Sequence, residues 1–554
     1  MSTDFFKAHH ELLELAVAAT GGRGYWSPFP ESPSPRVYGE TAGDDGRAAF
    51  EAYRGKGFPL EPAEKARTAG VEVSPFGLEM DVRYPKHPAP ALIARSERAL
   101  DTWREAGPQV WVGIALEILK RLNQHSFEMA YAVQHTTGQG FMMAFQAGGP
   151  HAQDRGLEAV AYAWREMERI PRLASWEKPQ GKHDPIKLQK QFTIVPRGIS
   201  LVFGCSTFPT WNSYPGLFAS LATGNTVIVK PHPLAILPLA ITVKIAQEVL
   251  AEAGFDRDVV QLAAHDPDDD LPQVLALDPA VRLIDFTGSS GNGNWLETHA
   301  RQALVFTEKA GINPVIIDSV DDFSGMVRNL AFSLALYSGQ MCTAPQNIYI
   351  PRGGIETSQG HMSFEDVTRG LAAAVEKLTA DPAKAVEITG AVQNDETLRR
   401  IAKAKTLGLE VLCDSRRLPH PDFEGARVQT PLLLLAGTDN PAITREWFGP
   451  ISFVVATEST TDSIEQVRRS VAEHGALSLS AYTTDTEVAR TVQKAAERAG
   501  VSLSLNLTAS VFVNQTAAFS DFHGTGANPA GNCVLSDSAY VANRFRVVQT
   551  RQHA

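Results

Sequence analysis

A thiol and a carboxylate are the two groups in this sequence best suited to covalent chemistry. Cys342 lies in Tyr337-Ser338-Gly339-Gln340-Met341-Cys342-Thr343-Ala344-Pro345, and Glu308 lies in Phe306-Thr307-Glu308-Lys309-Ala310-Gly311. A thiol among small residues and a glycine is open to a substrate carbonyl, and a carboxylate brought from elsewhere in the fold can deprotonate either that thiol or a later water. Each alone is weak evidence, because most free cysteines are small buried hydrophobes and most glutamates are solvated. Cys205, Cys413 and Cys533 are read as buried hydrophobes of that kind. A hydrolase pairing Cys342 with a histidine such as His523 would also explain a reactive thiol, but nothing in the sequence brings those two residues together.

Two further segments suit a nucleotide. The GxGxxG fingerprint is absent, so a dinucleotide site cannot be argued from the first βα turn. Thr223-Gly224-Asn225-Thr226-Val227-Ile228-Val229-Lys230-Pro231 instead puts Lys230 at the end of a buried strand, where ligands of open α/β sheets bind and where an ammonium can meet a ribose hydroxyl or a phosphate. Phe286-Thr287-Gly288-Ser289-Ser290-Gly291-Asn292-Gly293 reads as a strand end, a small-residue turn and a helix start. The backbone N–H groups from Gly288 to Gly293, with Ser289, could face a pyrophosphate. A surface lysine and an ordinary βα turn are the plainer readings of the same segments.

The elements that must position these groups change character along the chain. Residues 1–90 are punctuated by proline and are expected to form an extension of short helices and loops wrapped on a larger body. From Ala91 to about Arg172 apolar residues recur at helical spacing, as in Leu92, Ile93, Leu100 and Trp103, then Trp111, Ala115, Ile118, Leu119 and Leu122. From Ile199 short β-branched runs alternate with helical stretches, the pattern of βαβ units and a parallel sheet covered on both faces. The expected organisation is therefore α/β: residues 91–185 and 197–310 as one parallel-sheet domain, 311–521 as a second, and 186–196 with 535–554 as a small β arm. With Glu308 closing the first domain and Cys342 in the second, the chemistry falls in a cleft between them.

Composition narrows the function classes without choosing one. The 554 residues suffice for a large core. A net charge of −11 argues against nucleic acid or an anionic membrane as the main partner. The four cysteines show no metal spacing, so neither a metal site nor a disulfide framework is expected, and a cytoplasmic setting fits. No signal-peptide core and no run near the ~18 apolar residues of a spanning helix is present.

Taken in order, Lys230, the Phe286-to-Gly293 turn, Glu308, Cys342 and Glu446-Trp447-Phe448-Gly449-Pro450 resemble the motifs of the aldehyde dehydrogenase superfamily, from about Ala91 to the C-terminus. The resemblance implies that fold, with two parallel-sheet domains and an oligomerisation arm. It also implies an aldehyde substrate, a nicotinamide cofactor and a homodimer or homotetramer. By it Cys342 is the nucleophile, Glu308 the general base, Lys230 and Ser289 cofactor contacts, and Glu446 with Phe448 the groups holding the nicotinamide ribose and ring. The extension, the Lys230-Pro231-His232-Pro233 sequence and Cys205-Ser206-Thr207-Phe208-Pro209 look most similar to semialdehyde dehydrogenases of aerobic phenylacetate and benzoate degradation, whose substrates carry a coenzyme A thioester.

Two departures matter. Many relatives have an asparagine before Phe-Pro as a second oxyanion donor; here Thr207 stands there and can donate only through a shorter hydroxyl, while Asn212, expected on the following helix, is not assigned that role. NAD-preferring relatives often carry a glutamate three residues after the lysine, where this chain has Pro233. Without that carboxylate, and with Lys230 and His232 supplying positive charge, NADP is expected over NAD. Glu308 favours hydrolysis to the free acid over transfer to coenzyme A. A coenzyme A-acylating dehydrogenase and a non-catalytic cofactor-binding protein are the alternatives.

Overall fold

The β-branched runs of the sequence form two parallel sheets in this computed structural model, which describes residues 4–60, 67–512 and 515–554. In the first sheet the strands lie in the order Val260–Leu262, Thr226–Lys230, Ile199–Phe203, Val281–Thr287 and Leu304–Glu308, all parallel. The chain leaves the central strand, Ile199–Phe203, to one side first and returns to its other side later. This reversal opens a crevice at the carboxyl ends of the strands, where open α/β sheets bind ligands. Lys230, the Gly288–Ser289 turn and Glu308 all sit at those ends.

The second sheet has seven strands, in the order Glu410–Cys413, Leu432–Gly437, Ile451–Thr457, Asn347–Pro351, Pro314–Ile317, Ser478–Tyr482 and Ser502–Leu505. Only its Glu410–Cys413 edge is antiparallel. The central strands Asn347–Pro351 and Ile451–Thr457 are buried throughout, as expected of strands covered on both faces.

The helical stripes read from the sequence turn inward. Helix Ala89–Ala106 buries Leu92, Ile93, Leu100 and Trp103, and helix Pro108–Gln124 buries Trp111, Ile118, Leu119 and Leu122. Each such side chain stabilises the fold by about 1.5–3 kcal/mol on burial. Trp111 also donates its indole N–H to the Trp103 carbonyl at 2.7 Å, so its polar edge is satisfied. The N-terminal helices join the same core through Phe5, Leu13 and Phe50.

The third sheet corrects a boundary. Strands Phe545–His553 and His183–Pro196 pair antiparallel, but a third strand, Leu173–Gln180, completes the sheet. The arm therefore begins at Leu173, not at residue 186. Leu173–Gln180 is mostly exposed and carries Leu173 and Trp176 on its surface, so no half-buried alternation marks it as a strand.

A buried ion pair ties the C-terminal segment beneath the first sheet. Fully buried Arg544 clamps Asp285 with Nη1 to Oδ2 at 2.8 Å and Nη2 to Oδ1 at 2.6 Å, while Tyr540 donates its hydroxyl to Oδ1 at 2.5 Å.

Candidate active site

Cys342 is presented by a turn whose backbone is held in an uncommon conformation. After helix Phe323–Ala335, residues Tyr337, Ser338 and Gly339 are all left-handed, with φ of 51°, 49° and 62°. Such conformations cost about 1–3 kcal/mol for non-glycine residues and persist where the surroundings fix them. Here the Tyr337 hydroxyl donates to the Thr137 carbonyl, and Ser338 Oγ lies 3.0 Å from the carbonyls of Thr389 and Gln429. At Gly339 a Cβ would stand 2.4 Å from the Gly449 carbonyl oxygen, so only glycine fits. Beyond the turn, Asn313 Nδ2 donates to the carbonyls of Cys342, at 2.7 Å, and Ala344, at 3.0 Å, while its Oδ1 accepts from the Leu477 N–H at 3.0 Å. The thiol is thus anchored to the second sheet.

Glu308 reaches the same point from the end of strand Leu304–Glu308. Asn212, in the first turn of helix Pro209–Ala222, donates Nδ2 to Glu308 Oε2 at 3.0 Å. His523 closes the group: its Nε2 stands 3.7 Å from Cys342 Sγ and 3.2 Å from Glu308 Oε1. Sulfur, imidazole nitrogen and carboxylate oxygen all lie within 4.8 Å of one another. The histidine is held by Thr516 Oγ1, 3.3 Å from Nδ1, and by the edge of Trp211, with ring centroids 4.7 Å apart.

The electrostatics follow from burial and these contacts. Burial, then the neighbouring Glu308 carboxylate, pushes the Cys342 thiol well above its ordinary range. Burial alone would also raise Glu308, but His523, the Cys342 thiol and the Asn212 amide outweigh it and hold the carboxyl below its ordinary value. The resting arrangement is a neutral thiol beside an ionised carboxylate. Glu308 Oε1 has no well-aligned hydrogen-bond donor despite the short approach of His523.

Two cavities meet at the thiol. The larger, of about 620 Å³, runs along the carboxyl ends of the first sheet. It is lined by Thr207, Lys230, His232, Pro233, Gly288, Ser289, Glu308, Cys342, Glu446 and Phe448, which brings ten of the eleven residues singled out in the sequence into one cleft. Gly293 is the exception: it is buried, and a Cβ there would meet the Lys309 side chain at 2.6 Å. Its lack of a side chain leaves room for Lys309, which itself lines the cleft.

Lys230 is buried over the Phe203 ring, and burial lowers its ammonium to about 8. Beside it, burial and then Lys230 lower His232 to about 3 and His265 to about 4. His232 Nδ1 accepts the Leu234 N–H at 3.2 Å, which leaves Nε2 as its donor. Asp269 also lines the cleft but is paired with Lys86 at 2.6 Å. Across the cleft, burial pushes Glu446 up to about 7. Gln139 Nε2 holds the Thr207 carbonyl at 2.8 Å. Among the described residues the Lys230 ammonium has no ion-pair partner and the buried Nε2 of His265 has no hydrogen-bond partner; with the cleft's volume, these fit a dinucleotide.

The smaller cavity, of about 260 Å³, also reaches Cys342. Met142, Met143, Met341, Phe208, Trp211 and Phe332 make its wall largely apolar, and no lysine or arginine lines it among the described residues. Phe208, Asn212 and Cys342 belong to both cavities.

Sequence reasoning named His523 only as the partner of Cys342 in a competing hydrolase reading, with nothing to bring the two together, and gave Asn212 no role; the structure places both at the site. His523 lies 181 positions from Cys342, and no motif links them. Asn212 was expected on the helix and is there, but the first turn of that helix points it at Glu308. Cys205, read as a buried hydrophobe, lines the cleft with its Sγ 3.6 Å from Asn212 Oδ1.

A cleft along a parallel sheet, with a cysteine and a glutamate at its end, defines a class of dehydrogenase, and comparison with known proteins agrees. Residues 84–528 match the model of the aldehyde dehydrogenase family, and the chain belongs to that family. It is 61% identical to an NAD-dependent aldehyde dehydrogenase from Burkholderia multivorans whose crystal structure superposes with a TM-score of 0.99, covering 100% of both chains. It is 27% identical over 382 residues to N-succinylglutamate 5-semialdehyde dehydrogenase of Burkholderia orbicola, covering 68% of this chain and 72% of that one. Betaine aldehyde dehydrogenase from Staphylococcus aureus, in complex with NAD+, shares the fold at 17% identity, with a TM-score of 0.69 over 89% of this chain and 92% of that one. Among the described residues, no helix is long and apolar enough to cross a membrane.

Proposed function

We propose that the protein oxidises an aldehyde on an apolar chain to its carboxylic acid through a thioester on Cys342, with NADP preferred over NAD. One observation carries this reading: Cys342 stands where a dinucleotide-sized cleft carrying Lys230, His232 and Glu446 meets a more apolar funnel. The aldehyde enters by the funnel, and the Cys342 thiolate attacks its carbonyl carbon. The oxyanion is held by the Cys342 backbone N–H and by the Thr207 hydroxyl. A nicotinamide bound in the cleft would supply the hydride acceptor. Lys230 and Ser289 would hold its ribose and phosphates, and Glu446 with Phe448 would hold the nicotinamide end. Glu308, ionised and oriented by Asn212, takes a proton from the water that hydrolyses the thioester.

The NADP preference rests on the unpaired Lys230, the Nε2–H of His232, and Pro233 in place of a carboxylate that would repel a 2′-phosphate. The substrate reading rests on the funnel. Without a lysine or arginine it suits an uncharged chain beside the carbonyl, such as a semialdehyde whose far end is a coenzyme A thioester outside the mouth, rather than a short chain ending in carboxylate. The exposed three-stranded arm would join subunits into a homodimer or homotetramer, and a cytoplasmic setting suits a free catalytic thiol. The test is formation of reduced cofactor with NADP and with NAD, using an apolar aldehyde, an ω-carboxy aldehyde and an aldehyde bearing a coenzyme A thioester. Reduced NADP with free acid from the first or third supports the reading. Turnover of the ω-carboxy aldehyde alone, or only when free coenzyme A is added, refutes it.

A further inference from the structure

We infer that His523, not Glu308, accepts the proton of Cys342, so that thiol activation and thioester hydrolysis are divided between two bases. The inference rests on the proposed thioester chemistry and adds a catalytic residue to it. Among the described groups around the sulfur, His523 Nε2 lies at 3.7 Å, within hydrogen-bonding reach of the thiol. Nδ1 faces Thr516 Oγ1 at 3.3 Å, so an Nδ1–H donated there leaves the Nε2 lone pair free for the proton. Glu308 Oε2 already accepts from Asn212, and although the thiol also lies within hydrogen-bonding reach of the carboxylate, a carboxyl held below its ordinary range is a weaker base for a thiol proton than an imidazole.

The geometry around Nε2 supports the same division. In the Nδ1–H tautomer the Nε2 lone pair faces Glu308 Oε1 at 3.2 Å, a contact that improves when Nε2 gains a proton. Moving the proton from sulfur to Nε2 turns that contact into an ion pair with Glu308 and places an imidazolium beside the new thiolate. The S–H bond breaks, an N–H bond forms, and the electron pair remains on sulfur to attack the carbonyl carbon. When water later cleaves the thioester, Glu308 takes the water proton, the departing thiolate recovers its proton from His523, and Glu308 releases its own to solvent. The other charged or titratable groups facing this cluster are Cys205 and Glu446 on the cleft side, Cys533 behind Glu308, His151 and Glu387 in the funnel, and Arg155, whose guanidinium lies 5.1 Å from the Trp211 ring.

The test is the rate of Cys342 alkylation by iodoacetamide from pH 6 to 10 in full-length wild type, His523→Gln, His523→Asn and Glu308→Gln. This readout does not depend on aldehyde oxidation. At neutral pH both His523 variants should alkylate at least about tenfold more slowly than wild type and approach it only where the thiol ionises unaided, whereas Glu308→Gln, which removes the carboxylate facing the imidazolium but keeps the proton acceptor, should slow less than either His523 variant. The inference is overturned if the His523 variants follow the wild-type profile, or if Glu308→Gln alone loses the neutral-pH rate. Unchanged cofactor binding and thermal melting in at least one His523 variant separates loss of a base from loss of structure. Rapid wild-type alkylation without cofactor reduction by any aldehyde would refute the proposed function while leaving the dyad standing.

Discussion

Asn212 and Glu308 meet through one hydrogen bond, Nδ2 to Oε2 at 3.0 Å, and that contact helps keep a buried carboxylate ionised. Its removal has a predictable sign. In Asn212→Ala a stabiliser of the charged form is lost, so the Glu308 carboxyl titrates at higher pH and its base form disappears sooner as pH falls. The acid limb of the kcat profile should move upward, with little change on the alkaline side. A profile superimposable on wild type would show that Asn212 does not tune the base.

Pro233 lines the cleft close to Lys230 where a glutamate could pair with ribose hydroxyls. Pro233→Glu should weaken NADP by at least about tenfold, equivalent to about 1.4 kcal/mol, and NAD by less. Cofactor binding followed by fluorescence measures both. Equal weakening of the two would place the 2′-phosphate elsewhere.

Burial lowers the Lys230 ammonium to about 8 in the free protein. A phosphate or ribose hydroxyl that needs the charged form therefore binds well below pH 8 and loses affinity as pH rises through it. NADP should lose more than NAD, because a dianion gains more from the ammonium than a hydroxyl does. Dissociation constants at pH 7 and 9 provide the check. Invariant NADP affinity would argue that Lys230 stays charged or stands apart from the phosphate.

The Arg544–Asp285 pair predicts stability rather than activity. Asp285→Ala leaves a buried guanidinium unpaired and should cost about 3–5 kcal/mol of unfolding free energy, whereas replacing both residues by apolar ones of similar volume should cost less. Urea denaturation of the single and double variants distinguishes these outcomes.

Much of the fold was legible because buried parallel strands write themselves as β-branched runs: Thr226–Lys230, Asn347–Pro351 and Ile451–Thr457 all lie where those runs stand. Leu173–Gln180 was not, since a strand exposed on both faces carries no burial pattern. In the site, Cys342 and Glu308 stood out by the residues around them. His523 did not, because a single histidine gains meaning only when the fold brings it to a thiol. Gly293 shows the same limit: room for the Lys309 side chain and room for a phosphate ask for the same residue, and the sequence does not separate them.

The central claim is a thioester on Cys342 that Glu308 hydrolyses. The most direct measurement is rapid mixing of Glu308→Gln with aldehyde and NADP, following reduced cofactor and then weighing the intact protein. The account predicts one burst of reduced cofactor per active site, little turnover afterwards, and an acyl adduct on Cys342, with both burst and adduct absent in Cys342→Ala. Steady turnover of Glu308→Gln at the wild-type rate, or a burst that survives in Cys342→Ala, would contradict it.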